Sequence, residues 1–229
     1  MLKLLPILAL AAGVVSASSI QTTNCGGVQS LSTDSPYTFT CAQFVGLSSQ
    51  LQSVQITVDG DIGGGIGPLS DIATIQVKNN SLQTQSGTGK DTSDFSLGAL
   101  GGFTAGGLVF TVNTGTATFT NIAAGASSAA IAVSGTNTKS FAALLCPGVF
   151  CNLYDGSGGT NFTVNVSTLT SLILSFGGGN VAGTQITNGA ARVTVTYMYG
   201  ASQGIPEPTT VSLIGLGLLG VGLLRRKIG

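Results

Sequence analysis

Alternation of β-branched with small polar residues recurs along this 229-residue chain and confines it to a β architecture. Val193, Val195, Tyr197 and Tyr199 alternate with Thr194 and Thr196. The same rhythm sets Val54, Ile56 and Val58 against Gln55 and Thr57, and Ala73, Ile75 and Val77 against Thr74 and Gln76. It returns in Phe162, Val164 and Val166 against Thr163 and Asn165. Successive side chains of a strand point to opposite faces, so each run has one face to bury and one for water. Residues 37–45, 108–112, 116–122, 129–133 and 169–176 are further expected strands. Asn188-Gly189 predicts a tight hairpin, and Asn113-Thr114-Gly115 a three-residue hairpin loop. Helix signals are weak: the alanine-rich stretch 123–132 is interrupted by Gly125 and two serines. No fixed-period repeat points to a solenoid. The expected fold is all-β, a single antiparallel β-sandwich of jelly-roll or Ig-like type.

Charge and residue usage then remove whole classes of chemistry. The chain has no histidine, which excludes His-dependent triads, Cys-His dyads and His metal sites. Charged residues make up 7% of the sequence, against about 25% in ordinary soluble domains. Across 18–204, Lys78, Lys90, Lys139 and Arg192 face seven aspartates, a net charge of −3. Without a basic patch, nucleic acid is not an expected partner. A glycosidase needs two carboxylates across a cleft, and no glutamate precedes Glu207. The chain is expected not to be an enzyme.

Cys25, Cys41, Cys146 and Cys151 form an even set, the pattern of a disulfide framework in an exported chain. Proximity favours Cys25–Cys41 and Cys146–Cys151, although four cysteines permit three pairings. Zinc would need histidine or Cys-x-x-Cys spacing, and neither exists here. Asp59 and Asp61, in Asp59-Gly60-Asp61-Ile62-Gly63-Gly64-Gly65, are candidate Ca²⁺ ligands on a glycine-rich turn. The competing reading is a hairpin turn chosen for positive φ and solubility. Asp91 and Asp94 form a weaker candidate of the same kind, and no cofactor is otherwise expected. The glycine runs at 63–65, 101–102 and 177–179 lack the Gly-Lys-Ser/Thr ending of a phosphate loop and read as loops. Tyr197 and Tyr199 share a strand face that could stack on sugar rings or sit in the core. Asn79-Asn80-Ser81, Asn161-Phe162-Thr163 and Asn165-Val166-Ser167 are formal glycosylation sequons.

The two ends carry addresses. Lys3 and the apolar stretch 4–15, followed by Val15-Ser16-Ala17, make residues 1–17 an expected signal peptide cut by signal peptidase. At the other end, Ile205-Pro206-Glu207-Pro208 precedes an apolar segment, 211–224, and the basic stop Arg225-Arg226-Lys227. As a helix those fourteen residues cover roughly 21 Å of a hydrocarbon core about 30 Å thick, a short transmembrane span. The trailing cations favour the cytoplasmic side and leave the preceding domain outside. Pro206 and Pro208 keep the peptide before the span extended. Glu207 is the sole glutamate of the chain. This three-part tail resembles the PEP-CTERM sorting signal of bacterial surface and matrix proteins. The resemblance implies an exosortase-type membrane protease as partner, with cleavage at or near Pro206-Glu207-Pro208.

A second resemblance lies in the domain. Phe44 to Gly60 reads F-V-G-L-S-S-Q-L-Q-S-V-Q-I-T-V-D-G, and near the other end Phe176-Gly177-Gly178-Gly179-Asn180 precedes A-R-V-T-V-T-Y-M-Y at Ala191 to Tyr199. That order is similar to the choice-of-anchor E domain, which implies a β-rich extracellular module with no established chemistry.

The chain therefore divides into a signal peptide (1–17), an extracellular β domain (18–204) and a sorting tail (205–229). The expectation is an exported surface or matrix protein, associated with exopolysaccharide or biofilm and joined to the membrane before processing. The alternatives are a carbohydrate-binding or carbohydrate-active module and a permanently membrane-anchored surface domain.

Overall fold

Burial of the alternating apolar faces organises the chain into two antiparallel sheets packed against each other. The computed structural model describes residues 18–32, 36–46, 50–66, 72–103, 108–146, 150–156 and 160–200. Contacts group Ile20–Tyr199 as one unit and Met1–Ser19 with Gly200–Gly229 as another, which lies almost wholly outside the described residues. The expected signal peptide, the motif Pro206, Glu207 and Pro208, the apolar segment 211–224 and the basic stop fall outside them too. Among the described residues no helix is long and apolar enough to cross a membrane.

In chain order the strands are β1 (Ser18–Asn24), β2 (Gln29–Ser32), β3 (Tyr37–Ala42), β4 (Leu51–Ile62), β5 (Ala73–Asn79) and β6 (Gln85–Leu97). They continue with β7 (Val109–Asn113), β8 (Ala117–Ile122), β9 (Ile131–Ala132), β10 (Gly135–Ser140) and β11 (Leu144–Leu145). The long strands β12 (Asn161–Phe176) and β13 (Val181–Gly200) complete the set, after a 3-10 turn at Cys151–Leu153. One sheet runs β10-β4-β13-β5-β9, with β1 and β2 also on β13 and β11 also on β4. The other runs β3-β12-β6-β7, with β8 also on β6.

Between the sheets lie Val54, Ile56, Val58, Ile75, Val77, Val193 and Val195 from the first, and Phe39, Phe95, Phe110, Val112, Val164 and Val166 from the second. Each such side chain contributes about 1.5–3 kcal/mol when fully buried. Phe95 stacks on Phe110 with ring centroids 5.3 Å apart. Gly60 faces inward on β4, where a Cβ would come within 3.0 Å of Val112. Along the β10 side the sheets converge like half a barrel: the Gly115 N–H donates to the Ser134 carbonyl, and Asn137 Nδ2 to the Thr111 carbonyl at 2.8 Å.

Three expectations change in the folded chain. Asn188-Gly189 is not a hairpin; it lies within the twenty-residue strand β13. There β13 passes from pairing with β5 up to Thr187 to pairing with both β2 and β4 at Gly189. Glycine serves close backbone approach, because a Cβ at 189 would sit 2.5 Å from the Asp61 carbonyl oxygen. Gly189→Ala is therefore expected to cost about 1–3 kcal/mol, read as a lowered thermal midpoint; a neutral outcome would instead fit an open turn.

Asn113-Thr114-Gly115 is not a hairpin loop either, because β7 and β8 both pair with β6 and follow each other along its edge. The Thr114 N–H, which such a loop would leave to solvent, donates to the Asp91 carbonyl at 3.0 Å. Third, the separate strands expected at 162–166 and 169–176 are one continuous strand, β12. The polar Ser167-Thr168 joint holds because it stays in register with β6.

Candidate functional site

The acidic cluster at the end of β4 has a different geometry from the expected turn. Asp59, Gly60 and Asp61 all belong to the strand, and the turn begins only after Ile62. With Val58 and Gly60 facing the core, strand alternation turns Asp59 and Asp61 to the outer face. Asp59 Oδ2 accepts from Arg192 Nε at 2.8 Å and lies 2.7 Å from its second guanidinium nitrogen, while Oδ1 accepts from Thr138 Oγ1 at 2.6 Å. Arg192 stands opposite Asp59 on β13 and Thr138 opposite it on β10, so three adjacent strands hold this carboxylate. Asp61 is buried, and its Oδ2 accepts from the Ile66 N–H at 3.0 Å. A polar depression of about 220 Å³ opens here, lined by Asp59, Gly65, Ile66, Asn137, Thr138 and Arg192 among others. Its carboxylate already carries a cationic partner, which corrects the image of two free carboxylates on a flexible loop. Among the described residues no group of three or more acidic or cysteine side chains converges as a metal site.

Asp91 and Asp94 do not converge, because their separation on β6 puts them on opposite faces. Asp94 points outward and accepts from Thr111 Oγ1 at 2.5 Å. Asp91 is fully buried between the sheets. Its Oδ2 accepts from the hydroxyl of Thr187 on the facing sheet, and its Oδ1 has no hydrogen-bond partner. Burial pushes the carboxyl above its ordinary value; hydrogen bonds from the Thr187 hydroxyl and the Thr92 backbone offset this only in part. Sequence reading named Asp91 but placed it on a turn, because Gln85-Ser-Gly-Thr-Gly-Lys-Asp does not look like a strand. Parity was the available signal: Phe95 and Leu97 fix the inward face of β6, and Asp91 shares it.

The tyrosine face of β13 is core. Tyr197 is fully buried and donates its hydroxyl proton to the Ala42 carbonyl at 2.7 Å; Tyr199 is half-buried. Phe44 packs on both, with centroids 5.8 and 5.1 Å away. Burial, reinforced by nearby Tyr154, raises the Tyr197 phenol well above the normal range, and burial pushes Tyr154 up to about 12. Sugar stacking on this face would have only the half-buried Tyr199 to use. Asn79 of the first sequon is likewise buried, donating from Nδ2 to the Gln83 and Ile122 carbonyls and accepting from Ser81 at Oδ1.

The cysteines pair as proximity favours, Cys25 with Cys41 and Cys146 with Cys151. The Cys25 N–H donates to the Val193 carbonyl on β13, and Cys41 lies opposite Phe162 on β12, so the first disulfide ties one sheet to the other. The second joins Cys146, next to β11, to Cys151 at the start of the 3-10 turn.

The deciding signal lies beyond Gly200, where Pro206-Glu207-Pro208, an apolar stretch and Arg225-Arg226-Lys227 follow one another. Residues 204–227 match the PEP-CTERM protein-sorting motif. No curated protein and no solved structure matches the chain. The PEP-CTERM motif implies an exported protein sorted and processed by an exosortase. Two disulfides in the domain ahead of it are consistent with an extracytoplasmic location.

Proposed function

We propose that the chain is a non-enzymatic surface or matrix protein whose β domain is carried through the envelope by its two end signals. The PEP-CTERM motif at 204–227 is the observation that carries this reading. Signal peptidase removes residues 1–17, the apolar segment 211–224 holds the intermediate in the membrane, and an exosortase cuts near Pro206-Glu207-Pro208. The mature domain then joins the cell surface or an exopolysaccharide matrix. Three features support a structural rather than catalytic role: Asp59 is occupied by Arg192, Asp91 is sealed inside the sandwich, and the Tyr197 face is packed. The likeness to choice-of-anchor E modules fits the pairing of its two quoted segments, which run side by side with Val54 opposite Tyr197 and Gly60 opposite Ala191.

Intact mass under non-reducing conditions, measured on protein from the surface or medium of the native host, tests the proposal. The expected species begins near Ser18, ends within the Pro206–Pro208 region and carries two disulfides. Added mass or a ladder at the new C-terminus would mark attachment to a matrix polymer. A mass ending at Gly229 would sink the processing and leave a permanently anchored domain.

A further inference from the structure

Five of the twelve exposed large hydrophobic side chains among the described residues gather at the end of the sandwich where β13 finishes: Val45, Leu145, Phe150, Leu153 and Met198. Leu145 and Met198 both stand opposite Ser53, one on each side of β4, and remain 76% and 39% exposed. Phe150 and Leu153 bracket the 3-10 turn, joined by a hydrogen bond from the Leu153 N–H to the Phe150 carbonyl. The Cys146–Cys151 disulfide holds them beside β11. Gly101 and Gly102 lie directly beneath, so close that a Cβ on Gly102 would sit 2.8 Å from Leu144 and 2.9 Å from Phe150. Val45 follows Phe44, whose N–H donates to the Tyr154 carbonyl next to Leu153. These are presented residues on a braced support, and single scattered hydrophobics would need no such bracing.

The chain itself indicates what covers them. β13 ends at Gly200, and ten residues, 201–210, separate it from the apolar segment 211–224. Ten residues reach at most about 35 Å. Charge is sparse here: Asp59 and Arg192 lie six residues further along their strands, roughly 20 Å away. Asp155 is half-buried and bridges Phe44, while Lys139 lines the open depression of about 610 Å³ next to Leu144 and Leu145. A few apolar side chains at a sparsely charged end of the domain suit the headgroup boundary of a bilayer.

We propose that this end of the domain is a lipid-contacting surface, resting Leu145, Phe150, Leu153 and Met198 on the bilayer while the sorting tail is still attached; the proposal builds on the membrane-held intermediate above. So small a patch holds only weakly by itself, and cutting the tail releases it.

The chain contains no tryptophan, so a single introduced indole reports its own environment. Full-length Phe150→Trp and Leu145→Trp would be reconstituted in phosphatidylcholine–phosphatidylglycerol vesicles, with Leu82→Trp as reference. Leu82 is 97% exposed and lies at the opposite end of β13, where the Asn80 N–H donates to the Asn180 carbonyl. The expected result is blue-shifted emission at 150 and 145 that loses most of its intensity to brominated acyl chains, with Leu82→Trp unquenched. Water-like emission at all three positions would overturn the proposal. Alkaline carbonate extraction of the same vesicles separates the two readings. A retained chain with unquenched indoles refutes the patch alone, and an extracted chain refutes the membrane-held tail. Quenching in an extracted chain would uphold the lipid contact independently of the tail.

Discussion

Removing the Cys25–Cys41 disulfide as Cys25→Ala/Cys41→Ala is expected to cost the domain about 3 kcal/mol, from the loop-closure entropy of a sequence separation of 16. At about 2–4 °C per kcal/mol for a domain of this size, the thermal midpoint should fall by about 6–12 °C. The position of the bond adds to the entropy term. Both cysteines are fully buried, one anchored on β13 and the other on β12, so the bond crosses the interface between the two sheets. Its loss also leaves two thiol-sized gaps in a packed core. The Cys146–Cys151 bond spans five positions at the sandwich edge and is expected to contribute less, about 2 kcal/mol. Thermal unfolding of the two double variants side by side checks the ranking. A smaller loss for Cys25→Ala/Cys41→Ala than for the other pair would show that the inter-sheet bond is not what holds the layers in register.

Asp91→Asn is the second large effect, and its sign is opposite. The wild-type carboxylate sits fully buried with one oxygen unpartnered, and burial holds its pKa above the ordinary 3.8. A raised folded-state pKa means that the folded form binds the proton more tightly than the unfolded chain does. The stabilising contribution is therefore complete below about pH 3.8 and is lost as pH rises through the higher folded value. Above it, folding must bury a charge that no cation among the described residues pairs with, which is costly. Asparagine keeps the shape and an acceptor for the Thr187 hydroxyl without the charge. At pH 7 the variant is expected to be more stable than wild type by about 1–3 kcal/mol. The difference between the two should shrink toward zero or reverse as pH falls below 4. Denaturant titrations across pH 3–8 measure it. A pH-independent difference would mean that folding leaves the Asp91 pKa unchanged, and a variant less stable at pH 7 would mean that the carboxylate is ionised and satisfied in the fold.

Strand existence was legible wherever a β-branched residue and a threonine alternate, as in β4, β5 and β13, because period two follows directly from strand geometry. The sorting tail was legible for a related reason: such tails are read as linear sequence, and Pro206-Glu207-Pro208 needs no fold to be recognised. Local cysteine spacing likewise anticipated both disulfides. β6 stayed hidden because Gly87, Gly89, Asp91 and Ser93 occupy its inward face, and a polar interior leaves no apolar rhythm to detect. The turn signals at Asn188-Gly189 and Asn113-Thr114-Gly115 misled for a different reason. At Gly189 the glycine answers to a neighbouring backbone 2.5 Å away rather than to a reversed chain, and at 113–115 the pairing of both flanking strands with β6 excludes the hairpin, which only the pairing partners reveal.

The sequence by itself determined the β composition, the absence of histidine chemistry and the address at 204–227, since these depend on local periodicity, inventory and linear recognition. Only the tertiary structure decided that Asp59 is neutralised by Arg192, 133 positions away, that Asp91 is enclosed against Thr187, and that one disulfide joins the two sheets. Those outcomes depend on register between strands distant in the chain, and register is set by packing all the faces at once, which no local stretch of residues encodes.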